Sequence, residues 1–148
     1  MMILLFILAV LIIAGLSFYA GKLLWQLKQQ RNKQQQVRHT RIQTITDSIQ
    51  VIAKAMEQQQ CDLSEGCIRL CNLLQAMPLE TPPDYPKLFP AIFDLFQKVE
   101  HMPTHKEREQ LPKRERLKQD MQRAEWESEL ETSILPELEK LKSFSALK

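Results

Sequence analysis

The sequence predicts an all-α protein with one N-terminal transmembrane helix. Residues 3–20 contain no charged residue and no Pro, Asn or Gln, and the 148-residue chain has only three Gly. Beyond the apolar segment, apolar residues recur at steps of three and four, and no alternating Val, Ile and Thr runs lie between turn signals. We therefore expect a transmembrane helix, a basic Gln-rich stalk, a small helical bundle and a long charged C-terminal helix.

The apolar segment is long enough to cross a bilayer. A helix over residues 1–21 is about 31 Å long, close to a hydrocarbon thickness of roughly 30 Å. We predict that residues 1–21 are the anchor and that residues 1–25 contact lipid, with Trp25 at the headgroup boundary. The alternative is a cleaved signal peptide. No basic residue precedes the apolar run, and Tyr19 is bulky where a cleavage site needs a small residue.

The segment after the span predicts the orientation. Residues 22–41 carry six Lys or Arg and no Asp or Glu. Basic residues next to a span favour the cytoplasmic side, so we expect a single-pass protein of the bacterial inner membrane with a periplasmic N-terminus and a cytoplasmic C-terminal domain. The number of cysteines also favours a cytoplasmic C-terminal domain, because an odd number of thiols favours a reducing compartment. They are Cys61, Cys67 and Cys71.

Residues 42–101 are predicted to form the helical core. The first stripe is too short to establish a coiled coil and indicates the core face of a bundle helix. Asp62 and Glu65 resemble a capping box that opens a second helix, which ends before Pro78. The first stripe consists of Ile42, Ile45, Ile49, Ile52 and Met56, and the second contains Cys67, Leu70, Cys71 and Leu74.

A third helix is predicted from Pro86 to Val99, with Pro90 in its first turn because proline is tolerated there. It carries three Phe within eight residues, Phe89, Phe93 and Phe96, which we expect to supply much of the core.

Residues 102–148 are predicted to form a charged helical arm that packs on the core by one edge or projects from it. Thr104 and Glu107 resemble a second capping box, Pro112 interrupts or kinks the arm, and Pro136 opens a short terminal helix. The apolar positions are sparse: Leu117, Met121, Ala124, Trp126, Leu130 and Ile134.

Three short segments resemble a known family. They are Phe-Tyr-Ala-Gly-Lys at 18–22, Gln-Cys-Asp-Leu-Ser-Glu-Gly-Cys-Ile-Arg-Leu at 60–70, and Met-Pro-Thr-His at 102–105. The chain resembles, over nearly its whole length, a proteobacterial family of single-pass inner-membrane proteins described only as a domain of unknown function. The resemblance implies a bacterial inner-membrane setting and no particular activity.

The residues do not predict a catalytic, cofactor or metal site. Cys67 and Cys71 lie one helical turn apart, but on an apolar face, where a free Cys is most often a small core residue. The close cysteine pair typical of zinc sites is missing. Pro103 separates His101 from His105, so these two do not form a regular i, i+4 pair. Motifs for nucleotide binding or hydrolysis are also missing, and we do not expect an enzyme.

Two classes of function remain. The first is an interaction or scaffolding module that meets a protein partner near the membrane. The alternative is nucleic-acid or anionic-lipid binding through the stalk and a basic run in the arm. Nucleic acid is not expected, because acidic residues interrupt that run. Ser17 and Gly21 are compatible with a weak homodimer, although small residues are common in spans. The basic run comprises Lys113, Arg114, Arg116 and Lys118.

Overall fold

The computed structural model describes residues 1–103 and 105–146, without the side chains of 105–107. Every regular element in these residues is a helix, which confirms the predicted fold class. The helices are α1 (Met2–Glu57), α2 (Leu63–Gln75), α3 (Tyr85–Leu88), α4 (Pro90–Val99), α5 (His105–Gln110) and α6 (Lys113–Lys142).

The chain divides into two compact units, Met1–Thr40 and Arg41–Lys148. The first unit is a stretch of α1 whose side chains are almost all exposed. Its apolar window has a mean hydropathy of 2.8, and none of it is buried. By length and composition, α1 is long and apolar enough to cross a membrane. A signal sequence near an N-terminus meets the same criteria of length and composition.

The second unit has one hydrophobic core. The stripe on α1 is buried as predicted, except that Ile52 is only partly buried. Phe93 is buried and its ring meets that of Phe96 edge to face, with centroids 6.3 Å apart. Gly66 lies where α2 approaches α1, since a Cβ there would be 2.2 Å from the sulfur of Met56. The largest fully buried side chains are Ile49, Leu70, Leu74, Ile92, Leu95, Ile134, Leu138, Leu141, Cys67 and Cys71.

The prediction of one continuous third helix is wrong. Two helices, α3 and α4, occupy that segment, and they meet at Phe89 with φ −132° and ψ 62°. Pro90 is the first residue of α4. Proline disfavours helical dihedrals in the residue before it, so Phe89 leaves the helical region and the chain turns there.

The prediction that Pro136 opens a separate terminal helix is also wrong, because α6 continues through Pro136 to Lys142. A proline inside a helix removes one backbone hydrogen bond and crowds the preceding turn. Here the buried side chains of Ile134, Leu138 and Leu141 flank the proline and hold both sides of it against the core. Pro112 does interrupt the arm as predicted, since it lies between α5 and α6.

The prediction that the Asp62 side chain caps α2 is wrong. Asp62 occupies the N-cap position of α2, but its side chain makes no capping hydrogen bond. A carboxylate from α6 binds this helix end instead. The second predicted box includes Thr104, which lies outside the described residues.

Candidate interaction surface

The cysteines lie where the apolar stripe predicted. Cys67 and Cys71 are fully buried and Cys61 is partly buried, and all three are free thiols. Burial raises the pKa of Cys67 well above its ordinary value. Burial, with the nearby carboxylates of Glu100 and Glu137, raises the pKa of Cys71 to about 12. These two thiols are therefore protonated core groups at neutral pH.

The other residues considered for chemistry do not converge. His101 is exposed and lies 3.2 Å from a carboxylate oxygen of Glu100, and the side chain of His105 lies outside those described. No three His, Cys, Asp or Glu side chains within the described part of the chain are arranged to hold a metal ion.

The basic run on α6 is divided between two faces. Lys113, Arg114 and Lys118 are exposed, whereas Arg116 is partly buried on the other side. Asp120 interrupts the positive charge, and it binds Arg108 through both carboxylate oxygens at 2.5 and 2.6 Å. This end of α6 therefore presents a short basic segment instead of a continuous positive surface.

The inner face of α6 caps α4. Glu137 is buried, and its two carboxylate oxygens accept hydrogen bonds from the backbone N–H groups of Ala91 and Ile92, each at 3.0 Å. These N–H groups belong to the first turn of α4, where no intrahelical acceptor exists. The negative charge also lies at the positive end of the helix dipole. The carboxylate supplies what the local sequence lacks, since Phe89 makes no side-chain capping bond.

A second glutamate on α6 caps α2 in the same way. The Oε1 atom of Glu127 accepts a hydrogen bond from the backbone N–H of Ser64 at 3.0 Å, and a second one from the Ser64 hydroxyl. One helix therefore satisfies the N-terminal ends of two others. Sequence reasoning missed both glutamates. The signals for Glu137 are its position on the helix face of Ile134 and Leu141 and the missing capping side chain at Phe89.

The opposite side of α6 is exposed. Its residues recur alternately four and three apart, which is the spacing of a heptad seam. Leu117 and Met121 are 61% and 67% exposed, so these two apolar positions of the arm do not belong to the core. A shallow depression of about 1040 Å³ lies beside them. We call this side the outward face; it consists of Leu117, Met121, Ala124, Ser128, Glu131 and Leu135.

A groove of about 460 Å³ adjoins the outward face. The segment that connects α1 to α2 forms one wall, and α6 forms the other between Ala124 and Leu135. Four carboxylates line the groove, and none of its described lining residues is Lys or Arg. The carboxylates belong to Glu57, Asp62, Glu127 and Glu131.

Comparison with known proteins places the chain in a family. Residues 13–141 match the model of a family described as "Protein of unknown function (DUF2489)". An uncharacterized protein of Haemophilus influenzae is 37% identical over 133 residues, which cover 90% of this chain and 88% of that protein. No solved structure matches the chain. The matched region runs from within the apolar segment of α1 almost to the end of α6, and the chain belongs to this family of unknown function.

Proposed function

We propose that this protein is a membrane-anchored, non-enzymatic interaction module. In this proposal residues 1–21 cross the bacterial inner membrane, and the unit from Arg41 onward contacts a protein partner at the cytoplasmic face. The observation that carries the proposal is the outward face of α6, where three large apolar side chains, Leu117, Met121 and Leu135, are exposed at heptad spacing.

The length and composition of α1 support the membrane part. Its apolar window is wholly exposed, and the cost of exposing so much apolar surface to water is removed if lipid surrounds it. The six basic residues between 22 and 41 support a cytoplasmic C-terminal unit. The protonated, unpaired thiols of Cys67 and Cys71 are compatible with a reducing compartment.

The surface of α6 supports a binding role over a catalytic one. Leu117 and Met121 lie one turn apart and are flanked by Arg114, Lys118 and Glu125. An exposed apolar pair with a charged rim is typical of a helix that packs against another helix. The thiols of Cys67 and Cys71, whose pKa values are strongly raised, lie in the core and do not face a cleft.

The proposal predicts covalent capture of a partner in cells. A photoreactive amino acid is placed at Leu117 in the full-length chain, membranes are isolated, and the cross-linked products are identified by mass spectrometry. The matched control is the same substitution at Leu88, a leucine of α3 that is 49% exposed. A defined adduct from position 117 that is missing from position 88 supports the proposal. Recovery of the chain in the soluble fraction, or adducts with lipid alone, contradicts it.

Orientation is tested separately with a phosphatase fused after Lys148. The enzyme should be inactive there, because it needs export to the periplasm. An active fusion would contradict the cytoplasmic placement.

Nucleic-acid or anionic-lipid binding remains the weaker alternative. The basic residues of the stalk and of α6 favour it, while Glu115 and Glu125 beside the exposed apolar pair disfavour it. Binding of the full-length protein to DNA and to anionic vesicles over a salt titration distinguishes the two. Strong binding that falls steeply with salt would favour the alternative.

A further inference from the structure

We infer that the outward face of α6 binds the same face of a second copy of this chain, with the two helices antiparallel. This inference rests on the proposed function, since it names the partner of the same surface. It is carried by the distribution of charge and side-chain size along α6, and by the acidic groove beside it.

Charge changes sign along α6. Its first two turns expose three cations, Lys113, Arg114 and Lys118, and one carboxylate, Glu115, whereas the exposed carboxylates of Glu125, Glu129 and Glu131 follow farther along. When two copies of such a helix run antiparallel, the basic end of each lies against the acidic end of the other. Opposite charges on facing helices then select the partner and its orientation.

The heptad spacing permits antiparallel registers that differ by seven residues, and side-chain size selects one of them. In an antiparallel pair, seam positions of one helix pair with seam positions of the other about a two-fold axis. With Met121 opposite Ala124 of the second copy, Leu117 lies opposite its Ser128. Each large side chain therefore meets a small one, as close packing requires.

The same register pairs the charges. Arg114 lies opposite Glu131 of the second copy, and Lys118 lies close to its Glu125. The two-fold axis repeats each pair, so four ion pairs form. A parallel pair in register would instead place Arg114 on Arg114 and Glu131 on Glu131, which is unfavourable.

The groove beside α6 is acidic where the second copy would place its basic end. It is bounded by Ala124, Ser128 and Glu131 on one side and by Asp62 on the other. The second copy's Arg114 would reach the groove at Glu131. The groove and the start of α6 are therefore complementary surfaces of the same molecule, which is the condition for an isologous dimer.

Charge reversal tests the inference with the full-length protein in mild detergent. An acidic variant carries Arg114→Glu and Lys118→Glu, and a basic variant carries Glu125→Lys and Glu131→Lys. Each should lose self-association by about tenfold or more, because the facing charges become alike. An equimolar mixture of the two should form a heterodimer, since all four pairs are then opposite. Native mass spectrometry measures the masses, and circular dichroism checks that each variant is helical.

A matched control changes the same charge elsewhere. Lys54→Glu with Lys140→Glu alters two exposed lysines away from the outward face, and should leave dimerisation unchanged. A wild-type chain that is monomeric at micromolar concentration overturns the inference. So does a dimer that survives in both charge variants, since another surface then forms it, such as the small residues Ser17 and Gly21.

These failures differ from a failure of the proposed function. If the chain is monomeric and position 117 still cross-links to another protein, the interaction module stands with a different partner. If position 117 captures no protein at all, both proposals fail.

Discussion

The two halves of α6 have similar apolar side chains in opposite environments. In the C-terminal half, Ile134, Leu138 and Leu141 are at most 1% exposed and only Leu135, on the outward face, is exposed at 42%, whereas Leu117 and Met121 in the N-terminal half are more than 60% exposed. The C-terminal half lies against the start of α4, to which Glu137 binds. A leucine in an amphipathic arm is therefore a core residue only where another helix covers its face.

The largest difference in stability is expected between two Leu→Ala variants of α6, one in the core and one on the outward face. Leu138→Ala should lower the free energy of unfolding by about 2–5 kcal/mol, because it leaves a cavity in the core. Leu117→Ala removes the same atoms from an exposed site and should change stability by no more than about 0.5 kcal/mol. Chemical denaturation of the full-length chain in detergent, followed by circular dichroism, measures both. Equal losses of stability in the two variants would show that Leu117 and Leu138 have similar environments.

A second pair of variants tests the capping carboxylate. Glu137→Ala should cost about 2–3 kcal/mol, because two backbone N–H groups at the start of α4 lose a charged acceptor. Glu125→Ala, on the exposed side of the same helix, is the control and should change stability little. The same denaturation assay applies. A loss below about 0.5 kcal/mol for Glu137→Ala would mean that water replaces the carboxylate without penalty.

Much of the fold could be predicted from the sequence because local rules governed it. Apolar spacing identified the buried face of α1 at Ile42, Ile45 and Ile49, and the buried thiols on α2. The rules failed at two prolines for opposite reasons. Pro90 broke a segment that looked continuous because it constrains Phe89, whereas Pro136 failed to break α6 because buried neighbours hold both sides of it.

The contacts of α6 could not be predicted because they are long-range. Glu137 and Ala91 are far apart in the chain. The spacing of Glu137 from Ile134 and Leu141 places it on the buried face of α6, but nothing near it in the sequence identifies the start of α4 as its partner. The heptad spacing of the outward face was present in the sequence. This spacing was difficult to recognise because the inward-facing apolar residues Trp126 and Leu130 lie in the sequence between the residues of the outward face.

A pH titration of the unfolding free energy tests the burial of two thiols in the core. Glu137 lies near the thiols of Cys67 and Cys71, whose pKa values burial raises above the ordinary 9.0. A raised pKa in the folded state stabilises the fold below pH 9.0, and this contribution is lost as pH rises toward about 12. The free energy of unfolding should therefore fall above pH 9.0. Cys71→Ala should reduce that slope by about 1.4 kcal/mol per pH unit.

The control for this titration is Cys61→Ala, because the Cys61 side chain is partly exposed. It should alter the slope less than Cys71→Ala does. Rapid alkylation of Cys71 at neutral pH in the folded chain would contradict the burial on which the titration depends.

A smaller loss of stability than at Glu137 is expected at the midpoint of α6, where Glu127 binds Ser64. Glu127→Ala should cost about 1 kcal/mol, in the range for loss of a helix cap. If Ser64→Ala is added to Glu127→Ala, the loss should be less than the sum of the two single losses, because the two side chains share a hydrogen bond. Strict additivity would show that Glu127 acts on α2 in another way.

The most direct test of the account is Met121→Lys in a chain that carries the photoreactive group at Leu117. We expect helicity to stay unchanged, because Met121 is exposed. We also expect capture of the protein partner in membranes to fall by about tenfold, since a charge replaces an apolar contact at the centre of the interface. Undiminished capture, or loss of the fold, would contradict the claim that the outward face of α6 is an interaction surface.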